Sequence, residues 1–166
     1  MAEVSNSKLL ETGTGILNRD ACLVILRTEW NASIVDELER GCVRVLEEQQ
    51  VRSIKVITVP GAFEIPFGIK SYWDVYKYTD DRPCAFIALA CILRGDTPHF
   101  EYVCRGITDG ITQLNLTLPV PSIFGVLTVD DQEQAAARIG GKHGHKGEEA
   151  AITALKMISL VHSMKK

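Results

Sequence analysis

The sequence contains no long apolar run, no excess of basic residues and no apolar leader, and each absence argues against a class of protein. No segment approaches the roughly 20 consecutive apolar residues that a membrane span requires. The formal net charge is −3, whereas nucleic-acid-binding domains are typically basic, with clustered Lys and Arg. Residues 1–15 contain no apolar segment like that of a signal peptide. We therefore expect no membrane or nucleic-acid partner and a cytoplasmic location.

The cysteines form no pattern that would indicate disulfides. Their number, five, is odd, and no two of them have CxxC spacing. Most lie inside apolar stretches, as the buried reduced thiols of cytosolic proteins do. Their positions are Cys22, Cys42, Cys84, Cys91 and Cys104. We predict five free thiols and no disulfide framework.

The chain's length and composition suit a single soluble domain. It has 166 residues, of which 46% are hydrophobic and 23% charged, an ordinary balance for a globular protein. Residues 1–19 are polar and show no periodicity, which predicts an N-terminal arm. Residues 20–166 then form the predicted domain.

Four short apolar runs alternate with amphipathic stretches along this domain. The runs are Ala21–Leu26, Ile54–Val59, Cys84–Leu93 and Ser122–Leu127. The first and third are almost purely apolar, as expected of strands covered on both faces. The stretches between runs carry apolar residues at spacings of three and four, which indicates helices. Strands alternating with helices predict an α/β fold: a three-layer αβα sandwich with a four-stranded parallel sheet, flavodoxin-like.

Helix boundaries are indicated by residues with strong positional preferences. Pro66 falls early in the second predicted helix, and Thr97–Pro98 supply an N-cap and a first helical residue for the third. A short helix is predicted near Asp131–Arg138 and a last one from about Gly147. The polar segment Tyr72–Pro83 is predicted to be a long surface excursion.

Ligands of open parallel sheets bind beyond the carboxyl ends of the strands, so the loops that follow the four runs are the candidate site. Trp30 is an aromatic residue in one polar loop, and Phe63 and Glu64 follow a flexible glycine in another. The four loops are Arg27–Asn31, Pro60–Glu64, Arg94–His99 and Thr128–Asp131.

The loop Arg94–His99 is a glycine turn that opens into a helix. Free backbone N–H groups at a helix start, with the Thr97 hydroxyl nearby, suit a phosphate group. The same positive end of the helix dipole disfavours a protonated imidazole, so His99 is biased toward the neutral form that a general base requires. Because His99 lies off the apolar stripe of its helix, it does not simply fill the core. A solvated or capping histidine is the alternative.

The segment Arg138–Gly147 is basic and rich in glycine. Lys146 lies at the start of the last predicted helix, where a cation opposes the helix dipole and a bound anion would compensate for it. A flexible basic loop is the alternative. His143 and His145 lie two residues apart, but they lack carboxylate or thiolate support, so we predict no metal site.

Four segments together resemble the signature blocks of the lumazine synthase family. They are VPGAFEIP (59–66), RGDTPHFEYV (94–103), PSIFGVLTVDDQEQA (121–135) and RIGGKHGHKGEEAA (138–151). They occur in the family's order and at its spacing, and the resemblance covers about residues 20–162.

This resemblance implies a reaction. The family's enzymes are transferases of riboflavin biosynthesis that condense 5-amino-6-(D-ribitylamino)uracil with 3,4-dihydroxy-2-butanone 4-phosphate, releasing phosphate and water. They need neither a metal nor a redox cofactor. The resemblance therefore implies 6,7-dimethyl-8-ribityllumazine synthase activity without a cofactor, a homo-oligomer with active sites at subunit interfaces, and riboflavin synthase as a candidate partner.

The resemblance also assigns roles position by position. His99 matches the catalytic acid/base, and Arg138 matches the residue that holds the phosphate, together with Asp96 and Thr97. Trp30 matches an aromatic placed against the heterocycle. The other matches are Ala62, Phe63 and Glu64 in the ribityl-binding segment, Cys91, Ile92 and Leu93 beside the pyrimidine, and Phe124, Arg138 and Lys146 from the neighbouring subunit. Periodicity alone predicts Phe124 to be a core strand residue.

Three features depart from the family's commonest pattern. His145 stands where Asn is frequent, Asp96 stands where Glu, Ala or Ser is seen, and Tyr72–Pro83 is longer than expected. These departures bear on substrate affinity and assembly. Two rival classes remain: a non-catalytic flavin- or lumazine-binding member, which could lose His99 or Arg138, and a purely structural shell protein, which would lack the phosphate loop.

The shared site implies at least a pentamer, because three residues of one subunit must reach Trp30 and Glu64 of a neighbour: Phe124, Arg138 and Lys146. An icosahedral shell of pentamers is the further expectation, since Gly140–Gly147 resembles the short Gly-Lys loop of shell-forming members. No proline precedes residue 60, so the arm is free to add as an edge strand to an adjacent subunit's sheet. A disordered arm and a two-pentamer assembly are the alternatives.

Overall fold

The four predicted strands form one parallel sheet in the computed structural model, which describes residues 8–9 and 21–165. The strand order across the sheet is β2-β1-β3-β4. The strands are β1 (Cys22–Thr28), β2 (Ser53–Val59), β3 (Ala85–Leu93) and β4 (Ser122–Val129).

Helices cover both faces of this sheet. They are α1 (Ala32–Glu48), α2 (Ile65–Tyr76), α3 (His99–Thr117), the short α4 (Gln132–Ala136) and α5 (Lys146–Ser163). A single 3-10 turn, Ala62–Glu64, precedes α2, and a small antiparallel ribbon of β5 (Ile139–Gly141) and β6 (Gly144–His145) precedes α5.

Alternate residues of β1 enter two separate cores. Leu23 and Ile25 pack with α1 and α5 on one face, while Val24 and Leu26 pack with α2 and α3 on the other. All four side chains are fully buried, which explains why this strand is a continuous apolar run rather than an alternating one. The predicted three-layer αβα sandwich with a flavodoxin-like parallel sheet is thereby confirmed.

Two strands extend further than their apolar runs. Arg27 and Thr28 belong to β1, where Thr28 lies in register with Val59 of β2. The Arg27 guanidinium is accommodated because Asp36 and Glu39 of α1 both accept hydrogen bonds from it. Likewise, β4 continues to Val129. Hydropathy misplaced these ends because backbone pairing continues where the side chains become polar.

The predicted excursion Tyr72–Pro83 begins too early. Its first residues form the last turn of α2, where Trp73 is buried and Tyr72 stacks on Tyr76 with ring centroids 4.2 Å apart. Aromatic packing therefore extends the helix into a segment that hydropathy alone assigned to a loop.

The start of α3 also differs slightly from the prediction. Pro98 occupies the cap position and His99 is the first helical residue, one position later than expected. The Thr97 hydroxyl oxygen nevertheless accepts a hydrogen bond from the His99 amide at 3.4 Å. The predicted helices near 131–138 and from about 147 are confirmed as α4 and α5.

The β5–β6 ribbon was not predicted, and the segment had been interpreted as a basic loop. Gly140 and Gly144 have φ values of 105° and 83°, a conformation that glycine adopts without strain. These two glycines allow the chain to reverse within a few residues. Strands of three and two residues are too short to show an apolar periodicity, so hydropathy could not indicate the ribbon.

The remaining expectations concern the arm, the cysteines and membranes. The predicted arm, residues 1–19, lies outside the described residues except for Lys8 and Leu9. All five cysteines are free thiols, as predicted. Within residues 8–9 and 21–165, no helix is long and apolar enough to cross a membrane.

Candidate active site

A cavity of about 560 Å³ opens at the carboxyl ends of β1, β2 and β3. This is the edge of the sheet where ligands of parallel α/β folds bind. Eight of the predicted site residues line the cavity: Trp30, Ala62, Phe63, Glu64, Cys91, Ile92, Leu93 and His99. We call it the strand-end cavity.

The loop after β1 is tied to the end of β3 by Asn31. This residue adopts the left-handed conformation, with φ of 56°, which Asn tolerates better than most residues. Its side-chain amide donates a hydrogen bond to the carbonyl of Cys91 at 2.8 Å. The bond positions the neighbouring Trp30, whose side chain is left 74% exposed at the rim of the cavity.

Two glycines make room for the residues of the 3-10 turn. A Cβ atom at Gly61 would lie 2.9 Å from Oε2 of Glu64, and one at Gly106 of α3 would overlap the ring of Phe63. The Phe63 side chain is still 60% exposed. The turn therefore presents an aromatic ring and a carboxylate to the cavity from fixed positions.

The end of β3 supplies an apolar wall. Cys91 and Ile92 are buried, whereas Leu93 is half-buried. Burial raises the pKa of the Cys91 thiol to about 11, so the thiol is protonated at neutral pH and is not suited to nucleophilic catalysis.

His99 lies exposed at the first position of α3 and faces the strand-end cavity. Tyr102, one turn further along the helix, lines the same cavity and is 71% exposed. Asp96 and Thr97 are exposed in the loop just before the helix, but they do not line the cavity. An exposed imidazole in a cleft can exchange protons with both a ligand and water.

Arg94 fixes the loop that carries His99. Its guanidinium donates hydrogen bonds to Asp130 at 2.6 Å and to Glu101 at 2.5 Å, and it lies 4.1 Å from the ring centroid of Phe100. Hydrogen bonding to Arg94 lowers the pKa of both carboxyls. The loops after β3 and β4 are thereby joined at the start of α3.

Phe124 and Lys146 lie elsewhere, in a second cavity of about 780 Å³ formed by α3, β4 and α5. Phe124 is half-buried and packs against the core beneath α2 and α3, which agrees in part with its prediction as a core strand residue. We call this space the β4–α5 cavity. Ten of the thirteen predicted site residues are thus divided between two cavities of one chain.

Arg138 lines neither of these two cavities as far as the described residues define them. It is 7% exposed, and its Nη1 donates a hydrogen bond to the His143 carbonyl at 2.5 Å. Its Nη2 lies 3.4 Å from Oε2 of Glu149, which also accepts a hydrogen bond from Lys146 Nζ at 3.4 Å. Both cations therefore contact the same carboxylate oxygen of Glu149.

Comparison with known proteins identifies the family. The family model described as 6,7-dimethyl-8-ribityllumazine synthase matches residues 20–162. The protein of that name from Parabacteroides distasonis is 47% identical over 137 residues, which are 81% of this chain and 82% of the relative. Its namesake from Porphyromonas gingivalis is 46% identical over 144 residues, 86% of each chain. This chain belongs to the 6,7-dimethyl-8-ribityllumazine synthase family.

Some residues of the strand-end cavity were not predicted from the resemblance to lumazine synthases. They are Thr28, Asn31, Gly61, Tyr102 and Val103. Tyr102 had a usable signal, since a residue three positions after His99 lies on the same face of the helix. Asn31 lies in the predicted candidate loop Arg27–Asn31, but its left-handed backbone and its bond to Cys91 depend on tertiary contact.

Residues 8–9 and 21–165 of this lumazine synthase family member contain no metal site. Among those residues, no three or more His, Cys, Asp or Glu side chains are grouped so that they could hold a metal ion.

Proposed function

We propose that the chain is a 6,7-dimethyl-8-ribityllumazine synthase of riboflavin biosynthesis. It condenses 5-amino-6-(D-ribitylamino)uracil with 3,4-dihydroxy-2-butanone 4-phosphate and releases phosphate and water, without a cofactor. One observation carries the proposal: in a chain of this family, Trp30, Glu64 and His99 line one cavity at the ends of the parallel strands.

The strand-end cavity takes the ribitylaminouracil. Trp30 and Phe63 offer exposed aromatic faces for a flat heterocycle, which stacks favourably on such rings. The Glu64 carboxylate accepts hydrogen bonds from hydroxyl groups of the ribityl chain. Cys91, Ile92 and Leu93, with Ala62, form the apolar wall against the pyrimidine.

His99 moves protons between the substrates. Joining a primary amine to a carbonyl group through a C=N bond removes two protons from nitrogen and adds two protons to the oxygen that leaves as water. One imidazole can carry out both transfers, since it is both an acid and a base near neutral pH. The exposed position of His99 beside the cavity supports this role.

The butanone phosphate is bound by cationic and main-chain groups. Arg138 and Lys146 stabilise the negative charge that develops as the phosphate leaves, and the Asp96–Thr97 loop at the start of α3 holds the other side of the phosphate. An arginine can bind phosphate with two parallel hydrogen bonds. The shared contact of both cations with Glu149 supports their acting together.

The active form is a homo-oligomer in the cytoplasm, with a pentamer as its smallest unit. Phe124, Arg138 and Lys146 of one subunit complete the strand-end cavity of the next. Two observations support this arrangement. Phe124 and Lys146 line a different cavity from His99 within one chain. Trp30 and Phe63 have exposed side chains that a neighbouring subunit would cover. Riboflavin synthase, which would use the product, is a further partner of the proposal.

The decisive experiment mixes the purified protein with both substrates. We expect lumazine absorbance to rise at the same rate as inorganic phosphate is released, and neither signal when one substrate is omitted. Lumazine or flavin binding without turnover would instead indicate a non-catalytic binding protein. Assembly without binding or turnover would indicate a structural shell protein.

A further inference from the structure

His145 lies in a place that requires a neutral imidazole. It precedes α5 as the N-cap residue, is 8% exposed, and its Nδ1 accepts a hydrogen bond from the Glu148 amide at 3.4 Å. A ring nitrogen that accepts a hydrogen bond carries no proton, so the proton of the neutral ring is on Nε2. Protonation would place a second donor opposite the Glu148 amide and abolish the cap.

The packing of α1 against α5 holds the ring in this place. A Cβ atom at Gly41 of α1 would overlap the imidazole, and one at Gly147 of α5 would overlap the Leu38 carbonyl oxygen. The two helices thus approach closely at glycines, with the ring of His145 between them. A protonated ring cannot turn away without separating the helices.

The charged surroundings do not offset the cost of a buried imidazolium. Nε2 is buried and has no hydrogen-bond partner among the residues that the structure describes, and Glu37 Oε1 is 3.7 Å from it. Burial lowers the pKa of His145; Arg44 lowers it further, while Glu148 and Glu149 act in the opposite direction. The charged groups that face His145 are Glu37 and Arg44 from α1 and Glu148 and Glu149 from α5.

His145 is connected directly to the two cations of the site. It pairs with Ile139 across the β5–β6 ribbon, and the amide of the next residue, Lys146, donates a hydrogen bond to the Arg138 carbonyl at 2.8 Å. The Arg138 guanidinium in turn donates to the carbonyl of His143. A change in the position of His145 therefore moves Arg138 and Lys146 together.

We propose that neutral His145 is a positioning residue for phosphate binding, which holds the ribbon so that Arg138 and Lys146 engage the phosphate, and that its protonation weakens that binding. This inference rests on the proposed function, because it takes butanone phosphate as the ligand of the two cations.

The pH range of the effect follows from linkage. The folded state lowers the pKa of His145 below the ordinary value of 6.5. Stabilisation by the neutral ring is therefore complete above that value and is lost as the pH falls from there through the lowered folded-state value. Phosphate binding should weaken as the pH falls through the lowered folded-state pKa of His145, because the folded protein takes up the proton there.

The test compares the wild type with His145→Asn and with His162→Asn as the matched control. Asparagine is a good N-cap but cannot take up a proton, and His162 is an exposed histidine near the other end of α5. The KM for butanone phosphate is measured from about pH 8 to about pH 5. Titration of the substrate phosphate affects all three proteins equally, so it cancels in the comparison.

We expect the KM of the wild type and of His162→Asn to rise roughly 3- to 10-fold more than that of His145→Asn over this range, as loss of one N-cap would give. The KM for the pyrimidine should change alike in all three. Parallel butanone phosphate profiles would overturn the inference, whereas a wild type that forms no lumazine at about pH 8 would contradict the proposed function itself.

A second measurement does not depend on the variants folding. Nitrogen NMR of the histidine rings in the wild type should give a neutral His145 with its proton on Nε2 at about pH 7. A proton on Nδ1 of His145 at that pH would overturn the inference.

Discussion

The two proposed catalytic side chains, His99 and Arg138, differ in their exposure to solvent. His99 is exposed at the first position of α3, whereas Arg138 is buried and bound to the His143 carbonyl and to Glu149. Proton transfer needs access to substrate and water, and a fixed positive charge needs rigid support. Each side chain therefore has the surroundings that its proposed role requires.

The first prediction concerns the proton-transfer role. We expect His99→Ala to lower kcat by roughly 10²- to 10⁴-fold, the usual contribution of one general acid/base. The loss should be partial, because holding two reactive substrates together supplies part of the rate. His162→Ala, which removes an exposed histidine from α5, is the control. A folded His99→Ala protein with wild-type turnover would remove His99 from the mechanism.

The second prediction concerns the phosphate. A lysine cannot reproduce the two parallel hydrogen bonds of a guanidinium. We expect Arg138→Lys to raise the KM for butanone phosphate by about 10-fold or more, the scale of one lost hydrogen bond to a charged group, and the KM for the pyrimidine much less. Steady-state kinetics with each substrate varied in turn measure both values.

Arg40→Lys is the control for this change, because Arg40 is an exposed arginine on α1. Equal increases in both KM values for Arg138→Lys would contradict the assigned role and would indicate general damage to the site.

The sequence alone predicted His99 and Arg138 as site residues, but it did not predict all of their contacts. The position of His99 at a helix start after a glycine turn could be inferred from the order Gly95, Thr97, Pro98. The partners of Arg138 could not, because Glu149 lies on another element and His143 contributes a main-chain carbonyl. The bond of Asn31 to the Cys91 carbonyl could not be inferred for the same reason.

Helices α1 and α5 contact each other closely at two glycines. Gly41 and Gly147 are both buried, and neither position has room for a side chain. The start of α5 and the ribbon before it are therefore fixed against α1. This contact sets the position of the basic segment relative to the sheet.

The third prediction tests this contact. A methyl group at position 147 would overlap the backbone oxygen of Leu38, which cannot move as a flexible side chain can. We expect Gly147→Ala to lower the free energy of unfolding by about 1–3 kcal/mol, the usual cost of overpacking. Gly95→Ala is the control, because nothing lies within 4 Å of a Cβ atom there. Urea denaturation at one fixed protein concentration measures both variants, and equal stabilities would contradict the contact.

Elements with long apolar runs were predicted well, while those that depend on other contacts were not. The runs gave all four strands because a buried parallel strand needs apolar residues on both faces. The last turn of α2 was missed because its stability comes from Trp73 and the stacked Tyr72 and Tyr76. The β5–β6 ribbon was missed because it is built from glycines and backbone hydrogen bonds.

Ten of the thirteen predicted site residues are divided between two separate cavities of the molecule. The strand-end cavity contains His99, and the β4–α5 cavity contains Phe124 and Lys146. Large apolar side chains are also exposed on α2 and α3, among them Phe67 at 78% and Leu116 at 76%. Exposed apolar surface of this kind is typical of protein interfaces. A symmetric oligomer would cover this surface and join one subunit's strand-end cavity to the next subunit's β4–α5 cavity.

The fourth prediction is that the protein is at least a pentamer at neutral pH, and that pentamers assemble into an icosahedral shell. The pentamer follows from the proposal that each site takes residues from two subunits, whereas the shell rests on the short segment Gly140–Gly147. Light scattering and electron microscopy distinguish the assemblies. A discrete pentamer would overturn only the shell, and a stable, active monomer would overturn the interface model altogether.

The last prediction asks whether each site takes its residues from two chains. His99→Ala and Arg138→Ala are each expected to be nearly inactive alone. If one subunit supplies His99 and its neighbour supplies Arg138, then an equimolar co-expression of the two variants restores some intact sites. With random assembly in a cyclic oligomer, about one quarter of the sites contain both wild-type residues, since each is present with a chance of about one half. We therefore expect about one quarter of wild-type kcat per chain, measured as lumazine formation.

Mixing the two variants after separate purification, without subunit exchange, is the control and should give no recovery. Co-expressed variants that stay as inactive as either one alone would place both residues in a site within a single chain.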